Sequence, residues 1–195
     1  MTLPDDPPSR SPQAEAPRER PRDRAIRLLV DALMLLPFGL RRALAYRVGR
    51  LAAGRSRSSQ RVHDAIRHFL PDLPEPEITR IATEAQGNFA RMIVEVLSAS
   101  DMATLAASLP IEGPGLTTLD EAHAQGRPVI LVSAHFGNYD AWRLALIHRG
   151  FAIGGYFKEL GNPVMNARYV EAVSASGQPM FPDTGEGLRS LVKFL

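Results

Sequence analysis

The feature that most constrains this chain is the run Val129-Ile130-Leu131-Val132-Ser133-Ala134-His135-Phe136-Gly137-Asn138-Tyr139-Asp140. Four consecutive apolar residues of high β propensity predict a buried strand over 128–133. Gly137 and Asn138 then predict a turn into a helix over 138–148, with Gly137 allowing close backbone approach and Asn138 able to cap. His135 therefore falls at a strand end, with Asp140 five residues later at the mouth of a helix. On a regular helix, residues five apart face different directions, so the two side chains can meet only across such a strand-to-helix turn. An imidazole near neutrality with a carboxylate to orient it is the composition of a general base.

The surrounding chain repeats this alternation. Helix 116–125 ends at Gly126 and helix 138–148 at Gly150, followed by a strand over 151–157. Asn162 caps a helix that carries Pro163 at its first position and runs to about 175. Gly177 ends that helix, a strand covers 178–182, and an apolar helix closes the chain. The expectation is an α/β domain, with N-terminal helices followed by an alternating β-α sheet layer of parallel strands.

Residues 1–24, rich in Pro, Arg and acids, predict a disordered tail, leaving 25–195 as the domain. Within it, 25–53 reads as a basic amphipathic helix broken at Pro37. A helical pair spans 57–100 as 57–69 and 77–100, and 111–195 forms the α/β part. Ile81, Ala85, Phe89, Met92 and Val96 recur at helical spacing and predict a core-facing stripe.

Composition narrows the chemistry. With 45% hydrophobic and 23% charged residues the chain is globular, and with no cysteine it has neither disulfides nor thiolate nucleophiles. Charge is uneven: residues 25–67 carry nine arginines against Asp31 and Asp64, whereas 68–195 carry nine basic groups against fourteen acids. A basic segment on an acidic body predicts an anionic partner. The apolar run 28–40 is short of the roughly 20 residues a spanning helix needs, so an interfacial helix fits better. Arg27, Arg41, Arg42, Arg47 and Arg50 would then lie beside its apolar stripe. No nucleic-acid-binding motif is visible and the basic segment lacks interleaved aromatics, which argues against nucleic acid. His63, His68, His123 and His148 show no partner pattern.

The H-x-x-x-x-D spacing of His135 and Asp140 resembles the block of the glycerolipid acyltransferase superfamily. More narrowly, Ser133-Ala134-His135-Phe136-Gly137-Asn138-Tyr139-Asp140 resembles the version in bacterial lipid A biosynthesis acyltransferases. The resemblance extends over about residues 25–195, carried by motifs at 133–142 and 155–163. It implies a glycerolipid-acyltransferase-like fold and a membrane-associated enzyme at the cytoplasmic face of the inner membrane. The implied reaction moves a fatty acyl chain from an acyl carrier protein or coenzyme A thioester to a hydroxyl of a lipid A precursor. His135 would be the base and Asp140 its orienting acid, with no metal and no cofactor. Gly137, Asn138 and Lys158 would contact substrate. Lys158 stands where relatives usually carry Arg, so a bidentate phosphate clamp becomes a point charge. Relatives often carry a basic residue near the strand end at 182, where this chain has Pro182-Asp183. The phrase Asn88-Phe89…Glu95 resembles the family's helix before the histidine block, which draws attention to Glu95 without making it a site residue. Relatives continue past residue 195 with a further strand, so a C-terminally incomplete catalytic part is expected. The same chemistry would serve a lysophospholipid or an ornithine-lipid precursor, and a basic membrane-binding module is the non-enzyme reading.

Overall fold

The computed structural model describes residues 20–55 and 57–195. The tail expected over residues 1–24 therefore lies mostly outside the described residues. Its last four residues belong to a helix, because Pro21 occupies the first helical position of α1 (Pro21–Met34). Pro37 breaks the expected N-terminal helix. Lacking an N–H and disfavouring helical backbone at Leu36, it separates α1 from α2 (Phe38–Ala52).

α3 (Arg57–Phe69) and α4 (Glu75–Val96) form the expected pair, but the second member stops short of residue 100. The Ser98 hydroxyl donates to the Val94 carbonyl at 2.6 Å, a side-chain bond that competes with the helix ladder. The chain restarts as α5 (Ala99–Ala106). α6 (Leu116–Ala124) and α7 (Ala141–His148) follow, ending beside Gly126 and Gly150, whose φ values of 63° and 94° glycine adopts without steric cost. The remaining elements are β1 (Gly155–Phe157), α8 (Pro163–Ala175), β2 (Met180–Pro182) and α9 (Gly185–Phe194).

β1 and β2 pair in parallel with α8 as the crossover, Gly155 opposite Met180 and Phe157 opposite Pro182. This is the one βαβ unit among the described residues, so the molecule is mostly helical and the alternating sheet layer is reduced to two short strands. The strand expected over 128–133 is not formed. Residues 127–136 carry no ladder hydrogen bonds and lie exposed, Val132 at 93%. An apolar run becomes a strand only where a neighbour takes its N–H and C=O groups, and no described strand lies beside it.

Two apolar clusters hold the helices. Met102 and Ala106 of α5 pack on Leu144 and Ala145 of α7, and Met92 and Val96 of α4 pack on Val173 of α8. The expected stripe of α4 is half right. Met92 and Val96 are buried, whereas Phe89 is 58% exposed and Ile78 and Ala82 take inward positions instead. α4 meets α2, α3, α5 and α8 in turn, so no single straight stripe is covered along its 22 residues. Where α2 crosses α4 the backbones nearly touch: a Cβ on Gly49 would lie 2.6 Å from the Gln86 carbonyl and 3.0 Å from Gly87 Cα.

Candidate active site

The turn between residue 133 and α7 is built on Gly137, whose φ of 62° is the left-handed conformation that glycine adopts without strain. No atom lies within 4 Å of where its Cβ would be, so the requirement is conformational and not the close backbone approach expected. Asn138 does not cap α7 from the cap position; Asp140 occupies that position and makes no side-chain cap bond. Asn138 instead accepts the Asp140 N–H through Oδ1 at 3.0 Å, a local turn closed by its side chain. Its Nδ2 donates to Glu95 Oε2 at 3.0 Å and approaches Met102 Sδ at 3.8 Å. The Asn138 side chain, expected to contact substrate, is thus committed to the protein.

His135 and Asp140 are not brought together as expected. His135 is exposed, its ring 4.7 Å from that of Tyr139, and among the described residues no hydrogen bond joins it to Asp140. Asp140 is buried with Arg143. The guanidinium donates from Nε to Oδ1 at 2.6 Å and from Nη2 to Oδ2 at 3.3 Å. Arg143 also donates to the Val173 and Gly177 carbonyls, tying the start of α7 to the end of α8. The physical reason is local. Without a strand at 128–133 the imidazole is not carried to a sheet rim, while a helix always sets residue i+3 beside residue i.

An aromatic row continues from His135. Tyr139 packs among Met92, Val96 and Val173 and shares a hydrogen bond with Tyr169. Burial first, then that bond, holds the Tyr139 phenol well above the ordinary tyrosine range. Tyr169 meets Phe157 edge-on, with centroids 6.1 Å apart. Lys158 follows Phe157 directly and is exposed at the carboxyl end of β1, where parallel strands gather ligands. Tyr139 and Tyr169, which sequence reading did not single out, thus link the histidine turn to the lysine strand end. Tyr139 sat within the motif and was legible as such; nothing in the sequence around Tyr169 pointed to it.

On the other side of the motif lies a cavity of about 550 Å³, within the range of small-molecule sites. Leu119, Ile130, Leu131, Trp142, Phe151 and Phe194 line it. The Trp142 indole N–H is buried without a hydrogen-bond partner among the described residues.

Asn162 caps α8 as expected, accepting the Val164 and Met165 N–H groups at 3.0 Å. Thr184 caps α9, and the neighbouring Asp183 accepts the Tyr156 hydroxyl at 2.6 Å. His63, for which no partner was foreseen, pairs with Glu75 at 2.8 Å. Among the described residues no cluster of His, Asp or Glu could hold a metal ion.

The N-terminal arginines divide into two groups. Arg41 is buried and bonds Asp101 and the Met34 and Leu36 carbonyls, Arg42 bonds Glu95, and Arg50 pairs with Glu84. Arg41 is taken into the fold, Arg42 is half-buried in its ion pair and Arg50 stays exposed beside Glu84, so the outward basic face is reduced, a correction forced by acids on α4 and α5 that lie opposite α2. Arg47 remains exposed, on the same side of α2 as Leu40, Leu44, Val48 and Leu51, all of them 42% exposed or more. Among the described residues no helix is long and apolar enough to cross a membrane.

No curated protein and no solved structure matches the chain. A family model described as bacterial lipid A biosynthesis acyltransferase matches residues 22–195, which takes in α1 from its second residue, every element from α2 to α9 and the whole histidine turn. The chain therefore belongs to the bacterial lipid A biosynthesis acyltransferase family, and its reaction is acyl transfer in the making of lipid A.

Proposed function

We propose that the protein moves a fatty acyl chain from a thioester on acyl carrier protein or coenzyme A to a hydroxyl of a lipid A precursor held in an anionic membrane. The observation that carries this reading is the family match across the histidine turn, together with an exposed imidazole on that turn. His135 takes the hydroxyl proton as the acceptor oxygen attacks the thioester carbonyl. The C–O bond forms, the C–S bond breaks, and the proton passes on to the departing thiolate. A positioned base of this kind contributes about 10²–10⁴ in rate.

Asp140 is the orienting acid of the proposed pair. Its carboxylate has lone pairs to spare beyond the two guanidinium bonds, so it can serve Arg143 and an imidazole together. That contact requires the 133–137 turn to fold over the start of α7. Asn138 is anchored to Glu95, but among the described residues 133–136 show only local hydrogen bonds, such as Phe136 N–H to the Ala134 carbonyl at 2.8 Å, which supports a movement of His135 about Gly137. Lys158 supplies a point charge for a phosphate of the acceptor or donor. The apolar cavity beside Trp142 suits the acyl chain. The exposed Leu40–Leu51 stripe of α2, with Arg47 on the same side, suits a lipid surface at the cytoplasmic face of the inner membrane.

The test uses labelled acyl-acyl carrier protein and a lyso-form lipid A precursor in anionic vesicles. The protein transfers label, and His135→Ala loses at least a hundredfold with an unchanged circular dichroism spectrum. Turnover retained in His135→Ala overturns the base; no transfer by the unaltered protein to any acceptor overturns the reaction. In the same vesicles Leu44→Glu weakens flotation, and unchanged flotation removes α2 as the docking face.

A further inference from the structure

Glu95 lies in the last turn of α4, remote in sequence from the histidine motif, and is 6% exposed. A carboxylate buried to that degree costs several kcal/mol unless it is paired and hydrogen-bonded. Both of its oxygens are engaged. Oε1 accepts Arg42 Nε at 2.6 Å, with Arg91 Nε 3.8 Å away, and Oε2 accepts Asn138 Nδ2 at 3.0 Å. Asn138 in turn holds the Asp140 N–H through its own oxygen at 3.0 Å.

The polarity of this chain leaves one solution. A carboxylate only accepts and a backbone N–H only donates, so the Asn138 amide must point its nitrogen at Glu95 and its oxygen at Asp140. A flipped amide would set oxygen against carboxylate and N–H against N–H. The fixed amide pins the backbone between Gly137 and Asp140, from which His135 is displayed two residues earlier. The restraint comes from α4 through Glu95, and α2 reinforces it through Arg42.

We propose that Glu95 is a positioning residue for acyl transfer, acting through Asn138 to hold the histidine turn against α7. This rests on the reaction proposed above. Glu95→Gln is the informative variant. Glutamine carries an acceptor oxygen at only one of the two positions, so with that oxygen on Arg42 its N–H₂ faces Asn138; the Asn138 amide can then meet it only by flipping, which gives up the Asp140 N–H bond.

The experiment pairs kinetics of the full chain in vesicles with hydrogen exchange of the Asp140 amide. Glu95→Gln is expected to lower kcat about 10–100-fold, the usual cost of removing an outer partner, while KM for the acceptor stays the same. The Asp140 amide exchanges faster in the variant. The double variant Glu95→Gln/Asn138→Ala is no slower than Asn138→Ala alone, since the two act as one unit. A purely structural role would lower thermal stability and leave kcat of the folded fraction intact, and that result overturns the proposal. Additive losses in the double variant also overturn it. If the unaltered protein transfers no acyl group, the reaction proposed above fails. Glu95 is then judged by exchange alone, and equal Asp140 protection in the variant overturns its positioning role.

Discussion

Two glycines of α2 offer a sharp test of the packing, because the same substitution is expected to act in opposite directions at each. At Gly39, in the first turn of α2, a Cβ meets nothing within 4 Å, so Gly39→Ala should gain part of the helix preference of alanine, at most about 0.5 kcal/mol. At Gly49 the added Cβ would lie 2.6 Å from the Gln86 carbonyl oxygen, 2.7 Å from Ala90 Cβ and 3.0 Å from Gly87 Cα. None of these is the far end of a flexible side chain, so α2 and α4 must part. Overpacking of this kind costs about 1–3 kcal/mol and exceeds the propensity gain, leaving a net loss of about 1–2 kcal/mol. For a chain of this size that lowers Tm by about 2–8 °C. Parting the helices also lengthens the Arg42–Glu95 bond, so acyl transfer should fall with stability at Gly49 and hold steady at Gly39. Urea unfolding followed by circular dichroism gives both values by linear extrapolation. A Gly49→Ala protein as stable as Gly39→Ala would refute the close α2–α4 crossing and the reasoning built on it.

Two further expectations concern the start of α7. Arg143→Met leaves the Asp140 carboxylate buried without its partner and should cost about 3–5 kcal/mol, measured by urea unfolding; a loss under about 1 kcal/mol would mean that water reaches the pair. The Tyr139 phenol titrates above its unfolded value of 10.0, so the folded form holds its proton more tightly. Its contribution to stability is complete below pH 10 and is lost as pH rises through the folded value. Tm of the unaltered protein should therefore fall more steeply above pH 10 than that of Tyr139→Phe, and parallel curves would show that Tyr139 ionises as if exposed.

Local chemistry made much of this molecule readable. Proline and glycine placed the helix ends: the break at Pro37, the stops beside Gly126 and Gly150, and the Asn162-Pro163 start of α8 all occur where single-residue stereochemistry demands them. The His135 motif and its family were legible for a similar reason, since a contiguous pattern carries its own meaning. The failures share one cause. Whether 128–133 becomes a strand depends on a neighbour's hydrogen bonds, and whether Asp140 faces His135 or Arg143 depends on where the turn comes to rest.

The arginines of α2 make the same point from the other direction. Sequence counted their charge correctly but could not say which acids would stand opposite. Asp101, Glu95 and Glu84 come from two other helices, and only tertiary packing buries Arg41 beside Asp101, half-buries Arg42 on Glu95 and sets the exposed Arg50 against Glu84. What the sequence determined alone was the helix ends marked by proline and glycine and which reaction family the chain serves, because both are written in adjacent residues. What the tertiary structure decided was which charges are paired, which apolar residues stay outside, and that Glu95 holds the histidine turn. Those outcomes depend on distances between groups far apart along the chain, which no local pattern encodes.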